Sequence, residues 1–342
     1  MKFYNREKEL HYLKTYCQLE PNSILFVYGP KSSGKTTVML RVIEELSKKD
    51  DLVFFYYDLR EYATPTKEEF LEIFFEKGDK KYLLNKFEIN LKIWKFGVEE
   101  KFDFNNVKLN DVFSKIKESI KAVVEDDKKP VLIIDELQKL KSIYFNENGK
   151  GDKSLLNELF NLFVSLTKAK HLCHVICLTS DTLFIEEIYR NSTLKNASEY
   201  YLIDWLREGT IRNILKEEGF NEGEINYCLN YLSLPYEISQ LINNKKLGLS
   251  VEQTIKQWIN IEADGLRFLI ASMPDDLDES KTYEILGKFK DNIKVNDYEI
   301  IKRDLIKEFK FLVENEILFY DVINGIIKPT SIIEWHAIKE VI

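Results

Sequence analysis

The sequence predicts an α/β fold with a parallel β-sheet at its core. Short runs of β-branched and aromatic residues alternate with longer segments of helical periodicity over the first 204 residues. Strands that alternate with helices run parallel, and the helices cover both faces of the resulting sheet. The runs that predict strands span residues 23–28, 52–59, 131–134 and 173–179, and the helical segments span residues 7–16, 35–47, 67–76, 109–126 and 154–168.

Residues 87–104 interrupt this alternation. Apolar and polar side chains alternate there from Ile89 to Phe104, which is the periodicity of a half-buried strand. We therefore expect an inserted β-hairpin at 87–104, turning near Gly97.

Strand signals fade after residue 204. Residues 206–262 predict several short helices, broken at Gly or Pro positions. Further helices follow, and then two short apolar runs flank Asn324-Gly325, a pair that favours a tight hairpin with two positive φ angles. Helices followed by such a ribbon are the outline of a winged helix. We therefore expect a core at 1–204, a helical domain at 205–264 and a winged-helix-like domain at 265–342.

Composition narrows the class of protein. The chain has 342 residues, a net charge of −8 and 44% hydrophobic residues, which is globular and gives no general attraction to nucleic acid or anionic lipid. No apolar run reaches the roughly 18 residues of a membrane-spanning helix. The four scattered cysteines fit free thiols. We expect a cytoplasmic protein without membrane contact.

A phosphate-binding loop follows the first predicted strand. The eight residues from Gly29 to Thr36 fit the pattern G-x-x-x-x-G-K-[ST] and lie between a strand and a helix. The glycines let successive backbone N–H groups converge on one anion, at a helix N-terminus that favours negative charge. We expect Lys35 to bridge the β- and γ-phosphates, Thr36 to ligate Mg²⁺ and Thr37 to lie near the α-phosphate. The predicted nucleotide contacts are Gly29, Pro30, Lys31, Ser32, Ser33, Gly34, Lys35, Thr36 and Thr37.

Two carboxylates end the strand at 131–134. Side chains at the carboxyl ends of parallel strands face the ligand crevice. Asp135 is therefore expected to hold Mg²⁺ through its water shell, and Glu136 to orient the attacking water as a general base. Asp58, at the end of the second strand, is a weaker candidate for the metal.

The strand at 173–179 ends in hydroxyl side chains. Thr179 or Ser180, which are equally eligible, is expected to bond the γ-phosphate or the water held by Glu136. The alternative role is a Ser/Thr cap for the helix that begins near Thr182.

Together these residues resemble the archaeal ATPase family, within the AAA+/STAND class of P-loop NTPases. Residues 3–10, with Tyr4 and Arg6, are similar to the family's F-x-x-R-E-x-E-L box beside the adenine. Pro235 resembles the proline of the helical lid that touches the base. The resemblance implies a P-loop NTPase core, a small helical lid and a winged-helix-like ending, with ATP or ADP and Mg²⁺ as cofactors.

The sequence departs from the family pattern at two positions. Ala197 stands where family members often carry an arginine, with Arg190 nearby as a possible substitute, and Ser233 stands where the lid motif usually has glycine. The first departure bears on the hydrolysis rate, because such an arginine contributes orders of magnitude.

Two functions from different classes remain open. The first is a Mg-dependent ATPase that acts as a nucleotide-driven switch, and the second is a nucleotide-gated module that docks protein or DNA with negligible turnover. A small-molecule kinase is a third option. From residue 266 onward, 11 Lys/Arg oppose 15 Asp/Glu, so a protein partner is favoured over direct DNA binding.

Overall fold

The computed structural model describes the greater part of the chain. The ranges it describes are residues 6–49, 51–61, 70, 74–77, 81–86, 89–94, 96–98, 109–146 and 152–342. The remaining residues, which include Tyr4 and the end of the expected insertion, lie outside the described ranges.

The strands of the described ranges form one large sheet and several small ones. The large sheet is parallel and has the order β11–β1–β10–β7–β2. The strands are β1 (Ile24–Tyr28), β2 (Leu52–Asp58), β3 (Phe75–Lys77), β4 (Lys81–Lys86), β5 (Ile89–Trp94), β6 (Phe96–Val98), β7 (Lys129–Asp135), β8 (Tyr144–Asn146), β9 (Asp152–Ser154), β10 (His174–Thr179), β11 (Ser198–Leu202), β12 (Val295–Asn296), β13 (Leu318–Asp321) and β14 (Ile326–Pro329).

Helices cover both faces of the large sheet. The α-helices of the described ranges are α1 (Glu7–Gln18), α2 (Lys35–Leu46), α3 (Leu109–Glu125), α4 (Leu155–Val164), α5 (Thr182–Arg190), α6 (Glu208–Glu217), α7 (Glu222–Cys228), α8 (Pro235–Lys246), α9 (Val251–Ala271), α10 (Glu279–Gly287), α11 (Ile306–Glu314) and α12 (Ile332–Val341). Short 3₁₀ turns follow β2 at Leu59–Glu61 and β7 at Leu137–Ser142.

The pleat of β1 explains why this strand is apolar throughout. Leu25 and Val27 belong to the core that contains α1 and α2, whereas Phe26 belongs to the core that contains α3 and α4. Alternate side chains of a strand point to opposite faces, so a central strand covered on both sides has no polar position. All five residues of β1 are buried. The expected α/β fold with a parallel sheet is confirmed.

The long helix α9 is shared by two apolar cores. Val251, Ile255 and Ile259 pack with α6, α7 and α8, whereas Leu266 and Ile270 pack with the C-terminal elements. The boundary expected near residue 264 therefore falls inside a continuous helix. The C-terminal elements include α10, α11, α12 and a three-stranded antiparallel sheet of order β12–β14–β13.

The hairpin expected at 87–104 is placed differently in the structure. Its antiparallel strands are β4 and β5, with Lys86 paired to Ile89, and Gly97 lies within β6, which pairs in parallel with β3. The prediction of a turn near Gly97 is wrong, because alternation identifies a strand without locating its turn. Residues 99–108 lie outside the described ranges.

The turn of the C-terminal hairpin also differs from the prediction. Asp321 pairs with Ile326, which leaves four residues between the strands rather than two. Gly325 has a φ of 65°, but Asn324 is not among the residues with positive φ. The Asp321 carboxylate accepts hydrogen bonds from Asn324 N and Nδ2, and these bonds hold the wider turn.

Among the residues that the structure describes, no helix combines the length and the apolar character needed to cross a bilayer.

Candidate nucleotide site

A cavity of about 1200 Å³ opens at the carboxyl edge of the large sheet. Three regions line it: the phosphate-binding loop and strand ends of the core, the start of α8, and the end of α11. Its volume is sufficient for a nucleotide. The lining residues used below are Arg6, Lys31, Ser32, Ser33, Gly34, Lys35, Thr36, Thr37, Arg41, Arg60, Glu136, Gln138, Ser180, Pro235, Glu314 and Glu316.

The loop after β1 depends on its two glycines. Gly29 has a φ of 155°, and a Cβ at this position would lie 2.1 Å from the carbonyl oxygen of Ile203. Gly34 has a φ of 92° and precedes the first residue of α2. Side chains are strained in such conformations, whereas glycine is not. The loop therefore closes against the segment after β11 in a shape that only glycine permits.

Lys35 lies at the bottom of the loop. Its side chain is 6% exposed, and Nζ donates to the carbonyl oxygens of Gly29 and Pro30 at 2.9 Å each. Burial lowers the pKa of Lys35 to about 8, although Glu136 and Asp135 act in the opposite direction. A desolvated ammonium is a strong partner for a phosphate, because the charge is poorly solvated. Gly29 and Pro30 do not line the cavity themselves, but their carbonyls position Lys35.

Thr36 and Asp135 form the candidate metal centre. Thr36 Oγ1 donates to Asp135 Oδ2 at 2.7 Å, and Asp135 is 1% exposed. Asp135 Oδ1 is buried and has no hydrogen-bond partner. Burial raises the pKa of Asp135, against the lowering effects of Arg60 and Thr36. A hydroxyl beside a carboxylate with an unpartnered buried oxygen fits the oxygen ligands that Mg²⁺ prefers.

Glu136 turns out of the end of β7 in a left-handed conformation. Its φ is 64° and its ψ is 46°, although it is not glycine, and its N–H donates to Leu178 O of β10 at 2.9 Å. Non-glycine residues persist in this region when their surroundings hold them there, often at functional sites. The turn directs the carboxylate of Glu136 into the cavity beside Lys35.

The hydroxyls at the end of β10 separate into two environments. Ser180 Oγ lies 3.4 Å from both carboxylate oxygens of Glu136 and lines the cavity. Thr179 is 1% exposed, and its Oγ1 donates to Gln138 Oε1 at 2.8 Å. Gln138 in turn donates to Glu136. The cap of α5 is Asp181, which accepts from Phe184 N at 2.9 Å, so neither hydroxyl provides the cap.

Arg6 and Pro235 place two other chain segments against the loop. Arg6 is 6% exposed, and its Nη2 donates at 2.8 Å to Ser33 O and to Asp204 O. A Cβ on Gly34 would lie 3.6 Å from Pro235 Cγ. Arg6 therefore braces the loop backbone, and the first turn of α8 covers it.

Ser233 connects the helical region to the C-terminal elements. Its hydroxyl accepts from Ile332 N of α12 at 3.0 Å, and its N–H donates to Glu237 Oε2 at 2.9 Å. Glycine has no hydroxyl for the first bond. The serine at this position therefore has a structural partner of its own.

Comparison with known proteins identifies the family. Residues 3–241 match the family described as an ATPase domain predominantly from Archaea. The chain belongs to this family. Residues 252–342 match a second family, described as the C-terminal domain of uncharacterized ATP-binding proteins like MJ1010. The expected membership of the archaeal ATPase family is confirmed.

Several proteins of Methanocaldococcus jannaschii are similar to this chain over its whole length. One, named uncharacterized ATP-binding protein MJ1006, is 80% identical over 342 residues, which are 100% of this chain and 95% of that protein. Another, named uncharacterized ATP-binding protein MJECL26, is 78% identical and is covered to 98% of its length. A third, MJ1659, is 36% identical over 100% of this chain and 98% of its own.

Two solved structures match at low similarity. The Orc1 protein of Aeropyrum pernix, in complex with DNA, has a TM-score of 0.46 and 12% identity, with coverage of 99% of this chain and 93% of that chain. Cdc6p of Pyrobaculum aerophilum has a TM-score of 0.43 and 13% identity, with coverage of 99% and 95%. We draw no functional argument from these values.

The structure brings most of the predicted residues to one cavity. Lys31 to Thr37, Glu136, Ser180, Arg6 and Pro235 line it, and Asp135 lies directly behind Thr36. Tyr4 lies outside the described ranges. Sequence reasoning missed Gln138, Arg60 and Glu316. The first two follow strand ends, which was the available signal, whereas nothing in the sequence connects Glu316 with the loop.

Proposed function

We propose that the chain binds ATP with Mg²⁺, hydrolyses it to ADP and phosphate, and uses the reaction to switch the arrangement of its helical and C-terminal regions. The observation that carries the proposal is the convergence of Lys35, the Thr36–Asp135 pair and Glu136 in one cavity. The relatives that are named ATP-binding proteins support the choice of nucleotide.

The residues divide the chemistry between them. The loop amides and Lys35 hold and neutralise the phosphates, and Glu136 polarises a water molecule in line with the terminal phosphate. Ser180 is within reach of Glu136 to orient that carboxylate. Bound magnesium supplies charge neutralisation on the phosphate oxygens, with Thr36 and Asp135 as the residues that would hold it.

The switch is supported by contacts between the loop and the C-terminal elements. Lys31 Nζ donates to the two carboxylate oxygens of Glu316 at 2.9 and 2.8 Å. Asp204, whose carbonyl accepts from Arg6, also pairs through its carboxylate with Lys328 of β14. Phosphates in the loop compete with Glu316 for Lys31, so nucleotide binding bears directly on this interface.

Phosphate release with and without Mg²⁺ tests the proposal. We expect Lys35→Ala to abolish release, and Glu136→Gln to bind ATP but slow turnover strongly. The matched controls are Lys302→Ala and Glu340→Gln, which change exposed residues outside the cavity lining. Full activity of the Lys35→Ala protein would contradict the proposal.

The second candidate is a nucleotide-gated docking module with negligible turnover. The residue at the family's arginine position, Ala197, is 2% exposed, and its carbonyl accepts from Ile24 N at the start of β1. Retention of nucleotide without phosphate release, with duplex DNA, single-stranded DNA or cell-extract proteins present, would favour this function. Phosphate release that any of these stimulates would favour the ATPase.

A further inference from the structure

Arg60 lies at the cavity on the strand next to β7. It follows the end of β2 by two residues, and its guanidinium makes a two-point ion pair with Asp58, with Nε–Oδ1 and Nη2–Oδ2 distances of 2.9 Å. Its backbone N–H also donates to Asp58 Oδ1 at 3.1 Å. Asp58 pairs with Asp135 in the β2–β7 register, so the two carboxylates stand side by side.

The same guanidinium reaches the candidate metal centre. Arg60 Nη2 donates to Asp135 Oδ2 at 2.8 Å, and this oxygen also accepts from Thr36 Oγ1. Asp135 is 1% exposed, whereas the side chain of Arg60 is 41% exposed and lines the cavity. Arg60 is therefore two hydrogen bonds from the hydroxyl expected to hold magnesium, on the open side of the carboxylate.

Other arginines near this edge are placed differently. Of those that line the cavity in the described ranges, Arg6 is held by backbone carbonyls, and Arg41 is paired with Glu44 and Glu45 of its own helix. Arg190 pairs with Glu186, is 69% exposed and does not line the cavity. Arg60 is the one of these four whose guanidinium contacts a carboxylate at the end of β7.

The geometry points to Arg60 as the arginine that recognises the terminal phosphate of ATP from within the same chain, in place of the arginine absent at position 197. With magnesium held by Thr36 and Asp135, the charge of Asp135 is neutralised without Arg60. The guanidinium, still anchored by Asp58, is then free to turn to the γ-phosphate, for which its planar fork is suited. This inference rests on the proposed function.

Equilibrium binding of Mg·ATP and Mg·ADP by calorimetry tests the inference. All variants carry Glu136→Gln, which slows turnover during the measurement. We expect Arg60→Ala to weaken ATP about tenfold or more, as for a lost charge-assisted hydrogen bond, with ADP affinity changed by less than about threefold. Arg303→Ala, an exposed arginine outside the cavity lining, is the matched control.

Arg60→Lys guards against a variant that fails to fold. The lysine keeps a positive charge beside Asp58 and Asp135, so we expect a wild-type melting temperature and ADP affinity. A single ammonium lacks the fork, and we expect most of the preference for ATP over ADP to be lost.

Three outcomes overturn the inference. The first is an equal loss of ATP and ADP affinity in Arg60→Ala and Arg60→Lys, which would make Arg60 only a support for Asp135. The second is unchanged ATP affinity in both. The third is a selective ATP loss in Arg190→Ala instead. A wild-type chain that binds no nucleotide would sink the proposed function itself, which separates the two failures.

Discussion

Tyr28 OH donates a 2.7 Å hydrogen bond to Asp321 Oδ1, joining residues 293 positions apart. Tyr28 is the last residue of β1, immediately before Gly29, and Asp321 is the last residue of β13. Both side chains are buried. The strand that presents the phosphate-binding loop is therefore bonded directly to the C-terminal hairpin.

The Tyr28–Asp321 bond predicts the effect of removing one hydroxyl. Tyr28→Phe leaves a buried carboxylate with one donor fewer, which should lower the free energy of unfolding by about 1–3 kcal/mol. Hydrogen exchange should rise on both sides of the bond, in β1 and in β13–β14. In the comparator Tyr320→Phe, which removes a bond to Asp297 within the C-terminal elements, exchange should rise on that side alone. Unchanged exchange in β1 of Tyr28→Phe would contradict this coupling.

Glu316 competes with phosphate for Lys31. The side chains of this ion pair are 64% and 53% exposed, so the pair itself is weak, contributing about 0–1 kcal/mol. Glu316→Gln should raise ATP affinity by up to about fivefold, because Lys31 is released and a negative charge leaves the cavity. Calorimetry at low and high salt measures the change, with Glu340→Gln as the exposed control. A lower ATP affinity in Glu316→Gln would show that Glu316 assists binding.

Gly29 and Gly209 provide a matched pair of substitutions. Gly29→Ala places a Cβ 2.1 Å from Ile203 O, so the loop has to move and nucleotide binding should be lost. Nothing lies within 4 Å of a Cβ at Gly209, which is in α6. Gly209→Ala should keep binding and add about 0.5–1 kcal/mol of stability. Calorimetry and denaturant titration measure both effects; wild-type affinity in Gly29→Ala would contradict the assignment.

The two hydroxyls after β10 should differ kinetically. Ser180→Ala removes the hydroxyl beside Glu136 and should lower kcat about five- to tenfold, as expected for one hydrogen bond, with little change in KM. Thr179→Val removes a buried bond to Gln138 and should act mainly on stability, by about 1–2 kcal/mol. Steady-state rates and denaturant titrations of both variants decide the matter. A larger loss of kcat in Thr179→Val would reverse the assignment.

Glu334 gives a pH dependence to stability. The carboxylate is 5% exposed, its Oε1 has no hydrogen-bond partner, and burial together with Glu262 and Glu237 raises its pKa well above the ordinary value. A raised folded-state pKa means that folding takes up a proton, so its stabilising effect is present at low pH and is lost as pH rises through the folded pKa.

Replacement of Glu334 by Gln should therefore stabilise the chain at pH 8 by about 1–3 kcal/mol and have a smaller effect near pH 5. Denaturant titrations at several pH values measure this difference. The matched control is Glu340→Gln on the same helix, which is exposed and should show no such trend. Equal effects of Glu334→Gln at both pH values would exclude a titrating Glu334.

The local parts of the site were predictable from the sequence. The spacing of Gly29, Gly34, Lys35 and Thr36 dictates a loop at a helix N-terminus, because backbone amides and glycine conformations are local properties. The position of Asp135 at the end of an apolar run was likewise sufficient to place it at the ligand edge of a parallel sheet. The turn of the inserted hairpin was not predictable, because period-two alternation is the same on both sides of a turn.

The sequence alone determined that this chain has a parallel α/β core with a phosphate-binding loop and two carboxylates at one edge. Only the tertiary structure decided that Ser180 rather than Thr179 faces Glu136, that Arg60 contacts Asp135, and that the C-terminal elements reach the loop through Tyr28 and Glu316. The physical reason is range: loop conformation and strand periodicity arise between neighbours in the chain, whereas these contacts join residues brought together only by the order of the strands and the packing of α9 across two cores.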